Sequence, residues 1–213
     1  MFMSALAPMI KNREFEKARN QFVHVLGISK ISDFFMLSFF QKMLNKYHGG
    51  RIQVSTDSSS PGLYPVYGTY LHSPQLSKMT FTDLYFPKGD DLPYNADDLV
   101  PNPLGHPVSE GFTFGDVSNY KGDVTMKMTL NNLFVFNETV KQVEEVVKCH
   151  NELLKTVIPR DFYSILMSME EMFQDPDKAV YIYEKNSQLY DKFGGGTRDL
   201  VNNQIISKYF NVG

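Results

Sequence analysis

Apolar positions change their spacing several times along the chain, and each change marks an element. Residues 22 to 28 are mostly apolar, with Phe22, Val23, Val25, Leu26 and Ile28 around His24 and Gly27. A short apolar run of that kind predicts a strand. From 51 to 57 the period is two, Ile52, Val54 and Thr56 alternating with Gln53, Ser55 and Asp57. That predicts a second strand with one face more polar, and Asp57 belongs to the polar face. Between the strands, roughly 32 to 47, Phe34, Phe35, Met36, Leu37, Phe39, Phe40, Met43 and Leu44 cover more than one side of a helix. Such a helix must be covered on two sides. Ser29 or Ser32 is placed to cap its start, and Gly49-Gly50 ends it. Strand, helix and strand at these lengths predict a parallel βαβ unit, because parallel strands need a long crossover. Asp57 then stands at the carboxyl end of the second strand, where loops and chemistry gather in parallel α/β folds.

Before this unit, residues 9 to 20 read as a surface helix with Phe15 and Ala18 inward. After it, from 61 to 123, Pro, Gly, Tyr, Asp and Asn are frequent and the helical period lapses. Proline removes a backbone donor and fixes φ, so turns and short strands are expected there. Phe81, Leu84, Tyr85, Phe86, Phe112 and Phe114 are the residues expected to pin this insertion to the body. The helical period returns later. Val140, Val143, Val147, Leu154 and Val157 trace one face of a helix over 137 to 157, and Phe162, Ile165, Leu166, Met169 and Phe173 trace another over 160 to 173. Asp175-Pro176 opens a third that stops at Gly194-Gly195-Gly196, and a fourth is expected over 198 to 210. The resulting fold class is α/β: a βαβ unit over 1 to 60, an irregular insertion over 61 to 123, and a strand followed by helices over 124 to 213.

Composition narrows this picture only slightly. The 213 residues are 42% hydrophobic and 21% charged, values of an ordinary folded protein. Net charge is −3, so phosphate binding would need a local patch; Lys11, Arg13, Lys17 and Arg19 form one basic cluster and Lys42, Lys46, His48 and Arg51 another. Both read first as solvated helix faces. Cys149 is the single cysteine, which excludes an intramolecular disulfide and a multi-cysteine zinc site. No apolar run is long enough to span a membrane, and Met1 to Ile10 lacks the layout of a signal peptide, so a cytoplasmic location is expected.

Candidate chemistry centres on Asp57-Ser58-Ser59-Ser60-Pro61. Its ordinary explanation is a turn in which Asp and Ser bond their own backbone. Its functional explanation is a carboxylate nucleophile with serine hydroxyls beside it. His24, inside an apolar run, is expected to be a core histidine. His48, His72, His106 and His150 show no metal-ligand spacing, so neither a metal site nor a cofactor is expected. Gly194-Gly195-Gly196-Thr197 lacks the preceding strand and the Lys-Ser/Thr ending of a phosphate loop, and the acidic pairs Asp90-Asp91 and Asp97-Asp98 read as solvated loop residues.

His24-Val25-Leu26-Gly27-Ile28, then a helix, then a strand ending in Asp57, resembles the late barrel strands of the tRNA-guanine transglycosylases and of the related phage and bacterial enzymes that insert 7-deazaguanines into DNA. Thr129 to Asn137, with Asn131-Asn132-Leu133, is similar to that family's strand-to-helix segment near its C-terminus. The resemblance implies a partial TIM-barrel-like unit. It also implies base exchange through a covalent aspartyl intermediate, with Asp57 as nucleophile, Leu26 and Gly27 against the base, and Ser58 and Ser59 orienting the carboxylate or a phosphate. The implied partners are a nucleic acid, DNA or tRNA, and a 7-deazaguanine base such as queuine.

Three family features have no counterpart. Only the segments near 22 to 28, 51 to 57 and 128 to 136 look like barrel strands, no residue before Phe22 matches the family's early carboxylate, and its cysteine-rich zinc site is missing. The expectation is therefore a C-terminal portion that needs a second chain to supply the early strands. The competing expectation is a non-enzymatic binding or structural protein that docks through the aromatic-rich insertion.

Overall fold

The computed structural model describes residues 2–17, 21–86, 94–118 and 122–194. It is a mixed α/β structure, 65% helical, with two small sheets and no closed barrel among the described residues. The chain divides into two compact units, Met1–Lys17 with Ser164–Gly213, and Ala18–Tyr163.

The larger unit begins with β1 (Gln21–Val25), α3 (Ile31–His48) and β2 (Ile52–Thr56), numbered after two N-terminal helices of the other unit. β1 and β2 pair in parallel, with Val23 beside Val54 and His24 beside Ser55, so the expected βαβ unit forms. α3 buries Phe35, Phe39, Phe40, Met43 and Leu44 almost completely, and it packs against both β2 and the long helix α6 (Gly122–Lys148). Its double-sided apolar pattern is thereby used. Gly49 ends α3 in the left-handed conformation at φ 67°, as the Gly-Gly pair predicts.

Each strand of a two-stranded sheet has an edge without a strand beside it, and the unpaired groups there need other partners. The Asp57 amide donates to the Val25 carbonyl, so the odd-numbered residues of β2 face β1 and Ile52 and Val54 face outward. The Gln41 carboxamide of α3 covers that outer edge. Its Nε2 donates to the Ile52 carbonyl at 2.9 Å, and its Oε1 accepts from the Val54 amide at 2.6 Å.

The Pro-rich region holds α4 (Ser60–Val66), β3 (Thr69–Gln75), β4 (Thr80–Tyr85) and α5 (Phe114–Ser118). β3 and β4 form an antiparallel pair. Tyr70, Phe86, Val100, Phe114, Val117, Val124 and Met128 make its core, with Leu84, Tyr94 and Phe112 packed against it, and Phe81 stacks on Phe136 of α6 at 5.1 Å. Tyr85, by contrast, is exposed.

The segment 128 to 136, expected as a third barrel strand, lies inside α6. Its polar residues explain the difference. Asn131 and Asn132 are buried and serve the free edge of β3. Asn132 accepts from the Leu71 amide at 2.8 Å and donates to the Thr69 carbonyl at 3.0 Å, and Asn131 donates to the Leu71 carbonyl at 2.7 Å. Asn131 Oδ1 also accepts from the Tyr70 and Ser109 hydroxyls. Burial pushes the Tyr70 phenol up, against the opposing effect of its contact with Ser109.

The helix expected over 137 to 157 is divided in two, α6 ending at Lys148 and α7 (Asn151–Val157) following. Lys42 stabilises the break, its Nζ donating to the carbonyls of Val147 and Cys149 at 2.7 and 3.1 Å, where a helix C-terminus leaves acceptors open. One member of the second basic cluster is therefore a capping residue.

In the other unit, α1 (Phe2–Lys11) and α2 (Glu14–Lys17) replace the single helix expected over 9 to 20, and Phe15 stacks on Phe173 of α8 (Arg160–Gln174). Ala18 and Arg19, like Asp90-Asp91, Gly195-Gly196 and the helix expected over 198 to 210, lie outside the described residues. The segment after Pro176 forms α9 (Ala179–Lys185) and α10 (Ser187–Gly194). Tyr190 bonds Ser168 at 2.6 Å, and burial pushes its phenol up to about 12.

Replacing Asn132 with Leu leaves the Leu71 amide and the Thr69 carbonyl without their partner, at about 1–3 kcal/mol each. Urea denaturation of N132L should show a loss of about 3 kcal/mol. The Tyr190 phenol titrates higher in the folded chain than its ordinary value of 10, so the stability it contributes is complete below pH 10 and disappears as pH rises toward about 12. Denaturation followed from pH 9 to 12 should show a smaller loss in Tyr190→Phe than in wild type, the buried Tyr64 and Tyr70 phenols supplying the part that remains.

Candidate functional site

The carboxyl ends of β1 and β2 bring together residues 30 positions apart. After Val25 the chain turns at Gly27, whose φ of 73° lies in the left-handed region. A Cβ there would meet nothing within 4 Å, so glycine is required by backbone conformation and not by crowding. The turn aims the Gly27 amide at Asp57, which accepts it through Oδ1 at 3.1 Å. Around this contact the strands are also tied by the Ile28 amide to the Asp57 carbonyl at 3.2 Å, and by the Thr56 hydroxyl to the Val25 carbonyl at 2.8 Å. One oxygen of the Asp57 carboxylate is thus anchored. The side chain is 60% exposed, and Oδ2 stands 3.9 Å from His24 Nε2.

Sheet alternation puts Phe22 and His24 of β1 on one face with Gln53 and Ser55 of β2. That face is open, with Phe22 78% exposed. Leu26, just past the strand, is 71% exposed. His24 is therefore not a core histidine. Its ring is half exposed, Nδ1 bonds the Ser55 hydroxyl at 2.9 Å, and Nε2 stands 3.9 Å from Asp57 Oδ2. The opposite face, with Val23, Val25 and Val54 half-buried and Ile52 buried, carries the packing.

Of the five expected site residues, Leu26, Gly27 and Asp57 converge. Ser58 and Ser59 begin the next element. The Ser58 hydroxyl accepts from the Ser60 amide at 3.2 Å, forming the local turn that Ser before Pro favours. Ser59 is the N-cap of α4, its carbonyl accepting from the Gly62 and Leu63 amides, and its side chain is exposed. Asp57 itself does not close such a turn, since its carboxylate is directed across to β1. The residues missed in the sequence are His24 and Ser55. The period-two alternation carried their signal, because a parallel register that brings Gly27 near Asp57 also sets His24 beside Ser55.

Close to this end, the Lys30 amide opens α3 and donates to Asp33 Oδ2 at 3.3 Å. Burial raises the Asp33 carboxyl above the usual carboxylate range, outweighing that bond. The described residues contain no group of three or more His, Cys, Asp or Glu able to hold a metal ion. They also contain no helix long and apolar enough to cross a membrane. A carboxylate with one oxygen held by an amide and the other open is suited to nucleophilic attack or to binding a donor group. Comparison with protein-family models, characterised proteins and solved structures finds no match.

Gly27→Ala places a side chain in the left-handed region without a clash. It should cost about 1 kcal/mol of stability, measured by urea denaturation, because the strain is conformational.

Proposed function

We propose that this chain is the C-terminal part of a guanine transglycosylase that exchanges guanine in a nucleic acid for a 7-deazaguanine. The observation that carries this reading is the Asp57 carboxylate, anchored through Oδ1 to the Gly27 amide at the carboxyl ends of two parallel strands and open at Oδ2. Those are the positions to which the resemblance assigns the nucleophile and the base contact.

In the proposed reaction Oδ2 attacks C1′ of a guanosine and the C1′–N9 bond breaks. Guanine leaves, and the nucleic acid is held as an ester of Asp57. N9 of the incoming 7-deazaguanine then displaces the carboxylate, so two inversions retain configuration. Leu26 and Gly27 form the platform for the base, and the target nucleotide must be extruded from its stack to reach them. Ser59, with its exposed side chain, is the serine placed to meet a phosphate, while Ser58 holds the turn that carries Asp57. A second chain supplies the early strands, in keeping with a parallel sheet that holds two strands, β1 and β2, among the described residues. No cofactor takes part. For the docking-protein alternative, Phe81, Phe86 and Phe114 of the insertion are engaged in internal packing, while Tyr67 and Tyr85 are exposed.

The test is covalent trapping. The chain combined with its early-strand partner should form a complex with target DNA or tRNA that survives a denaturing gel, and Asp57→Asn should abolish it. Equal trapping by D57N would remove Asp57 from the role.

A further inference from the structure

We infer that His24 is the proton carrier of this exchange, a role that rests on the proposed Asp57 chemistry. Guanine expelled from C1′ without a proton leaves as an anion, which is a poor leaving group, and the incoming base must lose its N9 proton before or as it bonds. The reaction therefore needs one group that first gives a proton and then takes one, and histidine does both near neutrality.

His24 has the placement for it. Its strand partner Ser55 holds Nδ1 at 2.9 Å, which fixes the ring and leaves Nε2 as the working nitrogen. Nε2 lies 3.9 Å from the open oxygen of Asp57, too far for a direct hydrogen bond and close enough for both atoms to touch one bound nucleotide. Among the described residues Asp57 is the charged group within ion-pair distance of the ring. The ring is also half exposed on the same open face as Phe22, so a ligand can reach it.

The steps balance. In the first half, Oδ2–C1′ forms and C1′–N9 breaks with its electron pair going to the purine, which receives the Nε2 proton and departs as neutral guanine. In the second half, the incoming 7-deazaguanine gives its N9 proton to Nε2, N9–C1′ forms, and O–C1′ breaks to restore the carboxylate. The proton that Nε2 gives in the first half is returned to it in the second. Ser55 is a positioning residue, acting through the ring.

Two measurements test the assignment. In the complex with the early-strand chain, single-turnover adduct formation is compared on oligonucleotides that carry guanine or 7-methylguanine at the target site. The methylated base leaves uncharged without a proton. His24→Gln should be slower by about 100-fold or more on guanine and close to wild type on 7-methylguanine, the loss expected for a missing general acid. Wild-type rates for H24Q on guanine, or equal slowing on both substrates, would overturn the role. D57N should fail on both; if D57N reacts, or if wild type forms no adduct with either, the nucleophile reading falls and takes this role with it. Separately, in the chain alone, the Nδ1 resonance of His24 in long-range ¹H–¹⁵N spectra should move in Ser55→Ala. If it does not, Ser55 does not hold the ring and the positioning assignment is overturned whatever the activity.

Discussion

Backbone amides and carbonyls at the margins of two small sheets are the constraint on which this structure depends. A strand with no neighbour on one side leaves polar groups that must be paired if they are buried. Here helix side chains take the place of the missing strands. Gln41 of α3 makes both bonds that a strand would make to Ile52 and Val54, and Asn131 and Asn132 of α6 do the same for Thr69 and Leu71. A carboxamide has the same donor and acceptor as a peptide group, so it can sit at a strand edge with little loss of geometry. The two longest helices are thereby attached to the sheets by hydrogen bonds as well as by apolar packing.

That attachment bears directly on the candidate site. β1 and β2 form a pair of only five residues each, yet they must hold the Gly27 amide within 3.1 Å of Asp57. The crossover helix supplies the stiffness: it packs on β2, and Gln41 ties the outer edge of the same strand. On the remaining face of the pair Phe22, His24, Ser55 and Asp57 are exposed together.

The segment from Thr129 to Asn137 shows how far local pattern can mislead. Its short apolar run suits a strand or a buried helix equally, and periodicity cannot separate the two. The extent of α6, 27 residues with Asn131 and Asn132 directed at a strand 60 residues earlier, is decided by partners that are remote in sequence. The break between α6 and α7 has a similar origin in Lys42, more than 100 positions away.

The sequence by itself determined the βαβ unit, its glycine termini, the placement of Asp57 at a strand end and the double-sided burial of α3, because each follows from a period of two or 3.6 or from glycine's backbone freedom. Tertiary structure alone decided that Asp57 reaches across to Gly27 while Ser58 closes the local turn, and that His24 faces out beside Ser55. Those choices depend on strand register and on which face the helices cover, and both are set by contacts between distant parts of the chain.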